Sequence, residues 1–103
     1  MKERIAGIVE GPFPKKYTAV MKNKATGRTR KIHFGDRRYE QFKDRTQLAL
    51  YANKNHNDRR RLRNYYSRHS GVKTRKAGLA KERQKAQLSG LYSAKLLSHL
   101  YLW

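Results

Sequence analysis

Histidine and arginine are the residue types in this chain whose placement invites a chemical reading. The four histidines, His33, His56, His69 and His99, are the only side chains that titrate near neutral pH. None has another histidine three or four residues away, the spacing that puts two ligands on one helical face. His56 and Asp58 lie two residues apart, too close for a helical pair, and Asp58 is better used as a helix cap. No paired carboxylates sit together as a general acid and base would. No glycine-rich phosphate loop follows a strand. The absence of cysteine removes thiol catalysis, disulfides and cysteine-ligated zinc. The residues therefore predict no catalytic set, no metal and no cofactor, and each histidine reads as structural.

Arginine is different. The stretch HNDRRRLRNYYSRHS, from His56 to Ser70, has no Pro or Gly within it. Its spacing predicts a helix over 56–70, capped by Asn57 or Asp58 and stopped at Gly71. At 3.6 residues per turn Leu62, Tyr65, Tyr66 and His69 share one side, and Arg59, Arg60 and Arg63 share the other. Arg61 and Arg68 fall at the border. An exposed row of guanidinium groups suits phosphate. Lys73, Arg75 and Lys76 follow directly, so Arg59, Arg60, Arg63, Lys73, Arg75 and Lys76 are the predicted anion-binding or nucleic-acid-binding residues. A solvated basic face without a partner is the plainer alternative for one such helix.

The charge of the whole chain argues against that alternative. Lys and Arg number 26 against seven Asp and Glu, a formal net charge of +19 with a pI near 10.8. Five of the seven carboxylates lie before residue 51, so the second half is the more basic. Repulsion at this density opposes compaction unless something anionic compensates. A nucleic acid, an acidic protein surface or an anionic membrane would each serve. No apolar run approaches the ~20 residues of a membrane span, and the first residues, MKERIAGIVEG, lack the apolar core of a secretory signal. The expectation is a soluble protein with no membrane span and no small-molecule substrate.

The elements that must position these residues are modest. With 103 residues, 37% of them hydrophobic, the chain suits one small domain over 1–103. Residues 1–15 read as an arm or first strand, ended by GPFP at 11–14. Lys16 to Lys22 and Arg28 to Phe34 read as a β-hairpin over 16–35, turning at NKATG, with Thr18 and Val20 facing Phe34 and Ile32. A hairpin alone is unstable, so it must pack on a helix. Tyr39 and Phe42 read as apolar anchors in a polar surround. Residues 46–52 fit a short helix or a strand equally. Residues 71–88 are polar, contain Gly78, and read as a connector, either partly helical on a polyanion or a flexible loop. A last apolar helix over 89–103, capped by Ser89 or Ser93, carries Tyr92, Leu96, Leu100 and Trp103 on one face. A Trp there should be buried, in its own core before a partner's pocket. The fold class is α+β: a small N-terminal β-hairpin or three-stranded sheet, then a basic helix, a polar connector and an apolar helix.

Tyrosines interleaved with basic residues are one mark of nucleic-acid binding. No known base-reading motif accompanies them, so any binding would go to phosphate and be largely independent of sequence.

Four features together resemble a family. They are HFG at 33–35, the tyrosine of RRYEQF, the pattern H-x-D-x-x-R-x-x-x-Y-x-x-R-H at 56–69, and the terminal LSHLYLW. The chain is similar to small basic uncharacterised proteins of nucleocytoplasmic large DNA viruses. In those proteins a hairpin ending in FG precedes a helix with this pattern, and a segment ending in LW closes the domain. The resemblance covers most of residues 16–103, with a longer and more basic link before the last segment here. Its positions are His56, Asp58, Arg61, Tyr65, Arg68 and His69, with Trp103 of the LW. They read as the packing and hydrogen-bond frame of the domain. The resemblance implies a viral source and a non-enzymatic structural role inside the virion, as a minor capsid or core component. The partner would be acidic capsid protein or the viral genome. The alternative is a sequence-independent DNA- or RNA-binding protein acting in the infected cell, in cytoplasm or nucleus.

Overall fold

A computed structural model describes all residues from 1 to 103. Three strands form one antiparallel sheet in chain order: β1 (Glu3–Glu10), β2 (Lys15–Asn23) and β3 (Thr29–Asp36). The GPFP segment turns β1 into β2, and the NKATG segment turns β2 into β3 with Gly27 at φ +73°. The arm is thus a paired strand, with a bulge between Ile5 and Gly7.

The hairpin register differs from the expected one by a residue. Ala19 pairs with Ile32 and Tyr17 with Phe34, so Thr18 lies opposite His33 and Val20 opposite Lys31. Tyr17, Ala19 and Met21 therefore form the core face of β2 with Phe34. As the central strand, β2 is buried on both faces: Lys16 and Thr18 are as enclosed as Tyr17 and Ala19. A one-residue shift exchanges the two faces of a strand, and here hydrophobicity separated them poorly.

Residues 37–57, with 46–52 among them, contain no α-helix or strand, only turns, bends, an isolated bridge between Gln41 and Asn55 and a single 3-10 turn at Ala52–Lys54. Buried polar groups hold this long segment. Gln41 is fully buried; its Nε2 donates to the Tyr51 carbonyl and to Asn55 Oδ1, each at 2.7 Å, while its Oε1 accepts from Lys16 Nζ. Asp44 accepts from Tyr17 Oη, from the Thr46 hydroxyl and from the Thr46 and Tyr51 N–H groups. A buried network with every member partnered fixes one conformation where an apolar cluster would allow several. Tyr39 is not an anchor in it: the residue is 65% exposed.

Three helices follow: α1 (Arg59–Ser70), α2 (Arg75–Ser89) and α3 (Ala94–Tyr101). The first starts later than the predicted 56, because Asn57 has φ +52° and Asp58 is the cap, accepting from the Arg60 and Arg61 N–H groups. Gly71, at φ +64°, closes it. Ser93, not Ser89, caps α3; Ser89 ends α2.

The largest departure is α2. The expected connector is the longest helix in the chain, capped by Thr74 and closed by Gly90. Gly78, read as a helix-weakening residue, is where the Tyr66 ring packs. A Cβ there would lie 2.3 Å from Tyr66 Cδ1. Its buried stripe, Gly78, Leu79, Glu82 and Ala86, is narrow and half of it is not hydrophobic, so the apolar period is nearly invisible.

The sheet core continues into Leu97 and Leu102, and a second cluster joins Leu79 and Ala86 of α2 to Leu96 of α3. The start of α3 is tied to the sheet by a nearly buried carboxylate. Glu3 accepts from Arg30 Nε at 2.8 Å, from Arg30 Nη2 at 2.6 Å and from the Tyr92 N–H at 2.9 Å. The guanidinium, ahead of the opposing cost of burial, lowers the Glu3 pKa. No helix is long and apolar enough to cross a membrane.

Candidate polyanion interface and basic cleft

The carboxylates set the electrostatics. Glu3, Glu10, Asp36, Glu40 and Glu82 pair with Arg30, Arg37, Arg38, Arg61 and Lys85 respectively. Asp44 is committed to its buried network, and Asp58 to the α1 cap. Each of the seven acids thus has a fixed task, and five of the 26 lysines and arginines hold a carboxylate.

Of the predicted anion-binding residues, Arg59, Arg60, Arg63, Lys73 and Lys76 are exposed, as a phosphate-facing surface requires. Arg75 is the exception. It is half-buried, and its Nη2 donates to the Leu100 carbonyl at 3.2 Å. It caps the carbonyl end of α3, where a positive charge is favoured. Arg45 lies nearby with its guanidinium over the Phe42 ring, and its backbone N–H donates to the Tyr101 carbonyl.

The seven positions of the resemblance divide between frame and cleft. Asp58 is the cap already described. His56 packs between Phe42 and Trp103, with ring centroids 6.0 and 5.2 Å away. Tyr65 stacks on Trp103. So Trp103 docks in its own chain. Arg61, Arg68 and His69, in contrast, are exposed, and His69 does not join the inner face of α1. All three line a cleft of about 690 Å³ between β3, the segment around Tyr39, and the facing sides of α1 and α3. Lys15, Lys95 and Asn64 also line it, and Tyr65 and Trp103 supply an aromatic wall. Arg61 is held by Glu40 at 2.9 Å. Arg68 and Lys95 have no carboxylate partner, and both add to burial in lowering the pKa of His69. Three basic side chains, two from α1 and one from α3, thus line one space large enough for a ligand.

Two buried groups also deserve a chemical test. Lys16 Nζ donates to the Tyr39 carbonyl at 2.8 Å and to Gln41 Oε1, with no carboxylate in contact. Burial, with Lys54 adding to it, brings its pKa down to about 8. His99 is wholly buried. Its Nδ1 lies 2.8 Å from Tyr65 Oη and its Nε2 2.7 Å from Ser70 Oγ, which is 3.4 Å from Glu82 Oε1. Burial pushes the imidazole down to about 4, so it is neutral at pH 7. One proton arrangement satisfies every member: Tyr65 donates to Nδ1, Nε2–H donates to Ser70, and Ser70 donates to Glu82. A serine, a histidine and a glutamate in contact invite comparison with a nucleophile triad. The order is wrong for one, because the carboxylate touches the serine and not the imidazole. Ser70, Glu82 and His99 are also buried from any substrate, at 4%, 5% and 0% exposure. The cluster is a hydrogen-bonded joint between α1, α2 and α3. No cluster of His, Asp or Glu is arranged to hold a metal ion.

Sequence reasoning missed Lys95 and the joint. Lys95 sits in an apolar segment and shares a cleft with Arg68 only through the packing of α3 on α1. Ser70, Glu82 and His99 are far apart in the chain, with no local spacing to join them. A comparison of the chain with family models, curated proteins and solved structures finds no match.

Proposed function

We propose that this chain is a non-enzymatic structural protein of a large double-stranded DNA virus particle, a minor capsid or core component whose basic surface binds a polyanion. The viral setting comes from the resemblance of residues 16–103. The polyanion comes from the charge, and one observation carries it: all seven carboxylates are engaged, yet most of the 26 cations have no acidic partner. Internal neutralisation is exhausted, so the remaining charge must be balanced from outside. Nucleic acid is the counter-ion favoured by the exposed arginine row of α1, because guanidinium groups pair with phosphates.

Duplex DNA should bind with weak sequence preference and lose affinity steeply as salt rises. Replacing Arg59, Arg60 and Arg63 together by Ala should flatten the log–log salt slope by about 2–3 units. Undetectable binding at 50 mM salt would turn the assignment to an acidic protein partner. Stoichiometric abundance in purified particles supports the structural role. Absence from particles, with duplex binding intact, favours a nucleic-acid-binding protein of the infected cell.

A further inference from the structure

We propose that the cleft between β3, α1 and α3 is a binding site for an unpaired nucleotide of a nucleic-acid strand, separate from the duplex-facing arginines of α1. The inference rests on the polyanion reading above and adds to it a second site of different selectivity.

The cleft has the parts a nucleotide needs. Its volume of about 690 Å³ falls in the range that holds small organic ligands, and a duplex is far too wide to enter it. Arg68 and Lys95 both line it, each close enough to His69 to act on its charge, and neither has a carboxylate partner. The charges of Arg68 and Lys95 disfavour a further proton on His69, and an anion bound beside them relieves that repulsion. A phosphodiester supplies the anion. Tyr39 also lines the cleft, 65% exposed in a chain that has few large apolar residues to spare, with the Arg38 guanidinium 5.7 Å from its ring centre. An exposed aromatic beside a phosphate site is how proteins hold single strands, since every base has a face to stack. The acids at this rim, Asp36 and Glu40, are already paired with Arg38 and Arg61, so they repel a strand weakly. Arg59, Arg60 and Arg63 do not line the cleft.

Trp103 is the only tryptophan and lines the cleft, so its fluorescence reports occupancy. The test titrates the full chain with an eight-residue oligothymidylate, with a blunt duplex of equal phosphate number, and with thymidine monophosphate. The oligothymidylate should change Trp103 emission and the duplex should not. Arg68→Ala with Lys95→Ala should weaken oligothymidylate binding about 10- to 100-fold and duplex binding less than about threefold. Tyr39→Ala should weaken the oligothymidylate about tenfold. Arg59→Ala with Arg63→Ala removes the same charge elsewhere. All five side chains are exposed, so the variants keep the fold.

Equal losses from the two double variants on the oligothymidylate would make the cleft part of a general basic surface and overturn the proposal. So would an emission change as large with duplex, or monophosphate binding as tight as the oligomer's. Duplex binding without any oligothymidylate response defeats the cleft alone. Failure of both ligands to bind defeats the polyanion reading as well.

Discussion

The rings of Tyr65 and Trp103 lie parallel, with centroids 4.3 Å apart and planes 4° from coplanar. One belongs to the middle of α1 and the other follows the last helix, so the stack fastens the end of the described chain to the basic helix. His56, before the α1 cap, closes on the indole from another direction. The stack also forms a wall of the basic cleft. The residue that ties down α3 is therefore one that shapes the site.

Trp103→Ala should destabilise the monomer by about 2–3 kcal/mol, less than the 3–5 of a fully buried aromatic because the indole is half-buried. Trp103→Phe should recover about half of the loss. Thermal melts at low and high protein concentration check this. A Trp103→Ala protein that melts with the wild type at both concentrations would show that the stack contributes nothing.

Gly78 sets helix propensity against packing, and packing wins. Alanine would gain roughly 1 kcal/mol of helix propensity. Its Cβ would sit 2.3 Å from Tyr66 Cδ1 and 2.6 Å from Cε1, against a ring that is wholly buried. Overpacking of this kind costs about 1–3 kcal/mol, and Tyr66 has little room to retreat. Gly78→Ala should therefore be destabilising by up to about 2 kcal/mol in urea unfolding, and Gly78→Ala with Tyr66→Leu should recover part of it. A stabilised single variant would mean that the two helices are not in close contact.

Why one part of the fold could be read in the sequence and another could not follows from how each element is buried. The strands announce themselves through prolines, a glycine turn and runs such as KYTAVMK. The cap at Asp58 and the stop at Gly71 are local chemistry and show in the sequence for that reason. The register of β2 does not, because Lys16 and Thr18 are as buried as Tyr17 and Ala19. Helix α2 is hidden because its buried stripe contains a glycine and a glutamate, and the glycine marks close packing where propensity alone reads weakness. The cleft is hidden for a third reason. By spacing Arg68 falls at the border of α1 and His69 on its inner face, and nothing local joins them to Lys95, which α3 brings into the same cleft. The exposure of Arg59, Arg60 and Arg63 follows from helical spacing alone, whereas a cleft made by two helices and a strand needs tertiary information.

His99 gives the fold a pH dependence with a definite sign. Burial comes first among the causes that hold its pKa near 4, against an ordinary value of 6.5. The unfolded chain therefore binds a proton between those values where the folded one does not. Stability is then fully present above pH 6.5, falls as the pH drops below it, and the loss is complete near pH 4. Between pH 7 and pH 5 this one group should cost about 2 kcal/mol. His56 and His69, also lowered by burial first, act in the same direction. The lowered carboxylates of Glu3 and Glu40 add their share only at lower pH. Urea unfolding at pH 7, 6 and 5 for wild type and His99→Gln separates these contributions. The variant should be less stable at pH 7, having lost its bonds to Tyr65 and Ser70, but its slope between pH 7 and pH 5 should be the shallower by about 2 kcal/mol. Equal slopes would mean that His99 takes up its proton in the folded state and that the joint between the three helices tolerates a charge.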